Sequence, residues 1–179
     1  RVFRDVSAWM HLVFVYDSAQ ATDTNRNKIY VNGELIDASD CTAYVGGKHP
    51  PQNNDNAAWN NNTELRINDR TWNTSAPQDS LYTHIHNCDG YAYQASDFGE
   101  TDSTSGIWKP KTAPSVTHGT NGFFLKFENA GNLDLDSSTN AHTFTTTGTL
   151  TQNIDTPSNN YATLNPLIQT PSGTQSYER

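Results

Sequence analysis

Cysteine is nearly absent from this chain, which carries only Cys41 and Cys88. Two thiols are too few for a disulfide scaffold, and their spacing fits no zinc ligand set. One bridge is open to them if strands bring them together; otherwise they are two small, partly buried thiols. Basic residues are scarce as well, with 11 Lys and Arg against 19 Asp and Glu and a net charge of −8. That balance argues against nucleic acid and anionic lipid as partners, since both need clustered cations. No apolar run approaches the length of a membrane-spanning helix, so membrane insertion is not expected, and no signal-like segment opens the chain. Strong helix formers are sparse and never grouped at helical spacing. The only Met is Met10, and Arg1 stands just before a core-like strand. The expectation is a piece of something longer.

Asn, Thr, Ser, Gly and Asp fill the sequence instead. They favour an all-β body with long polar loops, and 179 residues are enough to bury a real core. The stretch Trp9 to Ile36 organises the rest. Met10 to Tyr16 is short, rich in β-branched and aromatic residues and closed by Asp17-Ser18, which predicts a strand buried on both faces. After a polar loop, Lys28 to Ile36 contains Asn32-Gly33, a pair that tolerates the two positive φ angles of a type I′ turn. A β-hairpin follows from these signals, with Trp9, Phe14 and Tyr16 in the core alongside Phe123 and Phe127.

Further along, Asp37 to Asn62 is a long polar insertion, of a size more often functional than idle. Thr63 to Ile67 alternates as a strand with Leu65 and Ile67 inward, and Leu81 to His86 forms the next, closed by Asp89-Gly90. Ala95 to Glu100 has room for one helical turn, with Ser96 as its cap and Gly99 as its stop. Thr101 to Gly122 has no periodic pattern and resembles a linker. Gly122 to Phe127 is a strong strand, and His142 to Thr147 with Thr149 to Ile154 forms a weak hairpin around Gly148. From Asp155 the prolines indicate extended chain. A soft boundary falls near Glu100, separating residues 1–100 from a connector over 101–179.

Little here supports catalysis. Asp134-Leu-Asp136 is the nearest carboxylate run and sits among turn residues. No Gly-x-Ser-x-Gly elbow, phosphate loop or dinucleotide fingerprint is present. His84 and His86 share one face of the expected strand, a spacing that suits a metal ion or simply a solvent-facing pair. Binding fits the residues better. Trp59 with Asn60 and Asn61, and Trp72 with Asn73, offer a flat aromatic face for a pyranose beside amides for its hydroxyls. Each Trp can equally plug the end of a sandwich or pack on a neighbouring subunit.

Trp9-x-His11 before an apolar strand ending in Asp17, then Ile29-Tyr-Val-Asn-Gly33, resembles the central hairpin of laminin-G and pentraxin-like domains of the concanavalin A-like lectin fold. Three later strings resemble large virion-associated proteins of bacteriophages, notably marine tailed phages. They are Ser96 to Glu100 with Gly106 to Pro110, then Gly119 to Phe127, then Asp155 to Pro166. Val2 to Asp5 and Gln20 to Thr22 add to this likeness, which spans most of the chain. The resemblance implies an antiparallel β-sandwich, a concanavalin A-like jelly roll, incomplete at its N-terminal end here and followed by an extended connector. Its missing strands are expected from the same polypeptide rather than from a neighbouring subunit. It also implies calcium at the sandwich rim, for which Asp17, Asp23 and Asn25 offer oxygens, although turn residues bonding their own backbone have the same composition. Glucanases of this fold align two or three carboxylates on one strand, and no such string occurs.

The expected function is therefore a non-enzymatic virion surface protein, a tail fibre or other appendage, homo-oligomeric with other virion subunits and attaching to host glycan. A purely structural capsid-decorating or subunit-joining protein is the alternative, and a glycan-degrading enzyme the third.

Overall fold

The structure, a computed structural model, describes residues 8–36, 49–54, 65–68 and 80–157. Within them the regular structure is mostly strand, with one 3-10 turn at Asp23–Asn25 and one helical turn, α1, at Ala95–Phe98. None of the described helices is long and apolar enough to cross a membrane.

Three strands come from the stretch that the sequence marked. β1 (Leu12–Tyr16) pairs antiparallel with β2 (Asn27–Val31), Phe14 opposite Ile29, and β2 pairs with the short β3 (Glu34–Leu35). Between β2 and β3, Asn32 and Gly33 have φ of 49° and 84°, the two left-handed residues of a type I′ turn. Asn32 also fixes the start of β1, since its side-chain oxygen accepts the His11 N–H at 2.9 Å.

β1 is buried on one face only, which corrects the expectation of burial on both. Val13 and Val15 point inward with Tyr30 onto Ala95, with Phe98 and Trp108 packed around them. Phe14, expected in the core, is 67% exposed, and Leu12 and Tyr16 lie out with it. The cause is the two-residue period of a strand: once the valines take the inner face, the aromatics must take the outer one.

The other ladders join residues far apart in the sequence. β4 (Ile85–Asn87) pairs with β7 (Phe123–Leu125), His86 opposite Phe124. β5 (Gly99–Thr101) pairs with β6 (Trp108–Pro110). A hairpin therefore occupies the stretch expected to be a linker, and both ladders include residues after Glu100. The weaker hairpin expected over His142 to Ile154 does not form; that stretch contains no strand. Leu65 and Ile67 are exposed and outside any strand, again unlike the expectation. α1 ends at Gly99 as expected, but its cap is Gln94, whose side chain and that of Asp97 form a reciprocal capping box.

Trp108 joins two of these sheets. Its indole lies between Gly33 and Gly99, at each of which a Cβ would collide with the ring. Its Nε1 donates to His11 Nδ1 at 3.0 Å, so His11 is a structural acceptor. Phe123 is buried and meets the edge of Phe144, with centroids 5.0 Å apart. Phe127 is half-buried at the end of this strand, where its positive φ stops the extended backbone. Trp9 is also half-buried, its Nε1 donating to Asp155 Oδ1 at 3.1 Å.

Candidate functional site

The loop after β1 holds the three residues expected to offer calcium oxygens. Asp17 Oδ1 accepts the Ala19 N–H at 3.2 Å, and Oδ2 accepts the Gln20 amide at 2.6 Å. Asp23 Oδ1 accepts the N–H of Thr24 at 2.7 Å, and Asn25 closes the 3-10 turn through its own N–H to Thr22 O. The Asp17 and Asp23 carboxylates are thus employed in shaping the loop, the second of the two roles their composition allows, while Asn25 contributes its backbone. Arg26 holds the loop from inside, its guanidinium donating to the carbonyls of Gln20, Ala21 and Pro50. Trp59, Asn60, Asn61, Trp72 and Asn73 lie outside the described residues, as does Cys41. Cys88 is a free, half-buried thiol, and burial raises its pKa to about 11, so it is protonated at neutral pH.

A different group of side chains gathers where β4 meets β7. His84, with a φ of 51°, lies outside β4, so the expected strand does not hold both histidines, although both rings lie against Phe124. His86 instead meets His118, ring nitrogen to ring nitrogen at 3.1 Å, with ring planes 7° apart and centroids 5.4 Å apart. Nearly coplanar rings at that separation aim the two nitrogens at one another. One must donate and the other accept, so a single proton lies between the two facing nitrogens.

Phe124 stacks on His86 at 3.8 Å between centroids, and Phe98 packs on it at a tilt. Burial, then the neighbouring His118, His84 and His11, push the His86 pKa down to about 3. Burial lowers that of His118 too, against an opposing pull from Asp136. Both rings are therefore neutral at physiological pH. Asp136, 4% exposed, accepts N–H bonds from Phe124, Ser138 and His142 and the Ser138 hydroxyl, all between 2.8 and 3.0 Å. Burial opposes its charge, yet these donors outweigh burial and hold the carboxyl below its ordinary range.

Among the described residues, no three His, Cys, Asp or Glu side chains converge as metal ligands do. His86, His118 and Asp136 all bind the chain to itself. Sequence spacing could not pair His86 with His118, which stand 32 residues apart. The chain matches no family model, no curated protein and no solved structure.

Proposed function

We propose that this chain is part of a non-enzymatic bacteriophage surface protein, a tail fibre or similar appendage, whose concanavalin A-like jelly roll attaches to host glycan. The observation that carries the reading is the β1–β2–β3 unit with its Asn32-Gly33 turn, which has the antiparallel form expected of a lectin-type hairpin. The three phage-like strings in the sequence add to it, and one of them, Gly119 to Phe127, contains the buried strand β7. In this reading Trp59 and Trp72 stack on sugar rings, and Asn60, Asn61 and Asn73 bond hydroxyls. Asp17, Asp23 and Asn25 are the oxygens that a rim calcium ion would use. The protein belongs to the virion exterior and assembles with other copies of itself in the bacterial host cytoplasm.

A glycan array probed with the chain, with and without calcium, tests the reading. Binding to one host polysaccharide class, lost in Trp59→Ala or Trp72→Ala, is the expected result. Adsorption of intact particles that no host polysaccharide competes would sink it. The structural alternative, a subunit-joining protein without sugar binding, draws support from the bare apolar row on β1. Release of reducing sugar by the full-length protein would instead support the enzymatic reading.

A further inference from the structure

β1 is the outer strand of its sheet, and its free edge has unusual chemistry for an edge. The bonds from Asn32 N to His11 O and from Asp17 N to Arg26 O fix which residues face β2. Residues 11, 13, 15 and 17 turn their backbone groups toward β2. The alternation then directs the N–H and C=O of Leu12, Phe14 and Tyr16 outward. Among the described residues no strand pairs with that edge. The same three residues carry the exposed apolar side chains. Edge strands are ordinarily protected by a Lys, a Pro, a bulge or an inward charge, and the run Leu-Val-Phe-Val-Tyr has none.

We infer that this edge is completed by β1 of a second copy of the chain, antiparallel across a two-fold axis at Phe14. Asn53 bonds Ser18 O at 2.8 Å and Asn54 O accepts the Tyr16 hydroxyl at 2.9 Å, which closes the edge beyond Tyr16, and the strand itself begins at Leu12, so the length open to pairing is Leu12 to Tyr16. That length is symmetric about Phe14. Pairing it with itself sets Phe14 on Phe14, Leu12 on Tyr16, and Asp17 opposite His11 of the second copy rather than opposite a like charge. Each of the three outward residues then exchanges two backbone bonds with its partner, about six in all. The far edge of the sheet is β3, only two residues long with Glu34 on it, so the assembly closes at six strands.

Area decides between this edge pairing and stacking of the two sheets face to face. The exposed parts of Met10, Leu12, Phe14, Tyr16 and Ile29 come to about 450 Å², taking roughly 200 Å² for each large side chain. A standard interface buries about 800 Å² per partner. Stacking would therefore be weak, and it would leave the outward N–H groups unpaired. Edge pairing supplies the backbone bonds and covers part of the apolar row. It requires neither sugar nor host, but it makes a second copy, and not the same polypeptide, the source of the strand beside β1.

Sedimentation of the 179-residue chain over a range of concentrations is expected to show a monomer–dimer equilibrium. Added salt should strengthen it, because each copy carries a net charge of −8. Phe14→Lys should return the monomer with its circular dichroism unchanged, while Phe14→Leu keeps the dimer. In a chain with Cys41→Ser and Cys88→Ser, Phe14→Cys should oxidise to a crosslinked dimer, since opposed residues in such a pair lie about 5.5 Å apart. Ile29→Cys should not crosslink, because three strand spacings, about 14 Å, would separate the two thiols. Several results would overturn the proposal. They are a monomer at every concentration, a dimer indifferent to Phe14→Lys, open-ended polymers, crosslinking at position 29, or a protected Phe14 amide in the monomer.

Discussion

At the scale of single residues, the His86–His118 pair and Asp136 set how the protein responds to acid. In the unfolded chain both imidazoles take a proton near pH 6.5. Folded His86 declines it until about pH 3, because burial and the second histidine oppose the charge. Between those limits the unfolded state binds more protons, so stability falls as pH falls. The loss starts near 6.5, proceeds at up to about 1.4 kcal/mol per pH unit for one proton, and levels off below about 3. Urea midpoints at pH 7.5, 5.5 and 4.5 should descend accordingly, and His86→Phe should flatten the descent. A midpoint independent of pH in the parent chain would refute the shared-proton picture. Asp136 acts with the same sign at lower pH, since its folded carboxyl is held below the ordinary range and its stabilisation is lost on protonation. Asp136→Ala strands the N–H groups of Phe124, Ser138 and His142 and should cost about 2–4 kcal/mol in denaturant unfolding. Asp136→Asn, which retains one acceptor oxygen, should cost less.

Between elements, Trp108 is the contact most open to test. Gly99 has an extended backbone that any residue adopts, so Gly99→Ala should fail only because its methyl meets the indole. A loss of about 1–3 kcal/mol is expected, the usual range for overpacking. Gly33→Ala meets the same ring and adds strain at a φ of 84°. It should therefore cost more than Gly99→Ala. Pairing Gly99→Ala with Trp108→Ala in a double-mutant cycle should recover most of the Gly99→Ala penalty, since the obstacle is gone. Additive losses would show that the indole is not what the methyl meets. The β2–β3 turn was legible beforehand, because Asn-Gly announces two left-handed residues without reference to anything distant. The β5–β6 ladder was not. Its strands are three residues each and lack an alternating pattern, and pairing stabilises them where propensity does not.

For the whole molecule, the described residues form an all-β chain of small antiparallel sheets tied together by aromatic side chains. Glycan attachment is the function proposed for it, and the array with the Trp59 and Trp72 substitutions is its test. Calorimetric titration with calcium is a separate check, in which heat lost in Asp17→Asn with Asp23→Asn would assign the ion to that loop. Of the proposed site, the sequence offered the chemistry of the side chains. Trp59, Trp72 and their asparagines lie outside the described residues. Asp17, Asp23 and Asn25 lie within one exposed loop, bonded to their own surroundings.

The sequence by itself determined the strand character of Leu12 to Tyr16, the type I′ turn and the Asp89-Gly90 turn. Each depends on backbone preferences that act over a few residues. Only the tertiary structure decided that the valines and not the aromatics of β1 face inward, because burial depends on what stands opposite. It alone paired His86 with His118 and set Trp108 against Gly33, since those contacts join positions that no local periodicity relates.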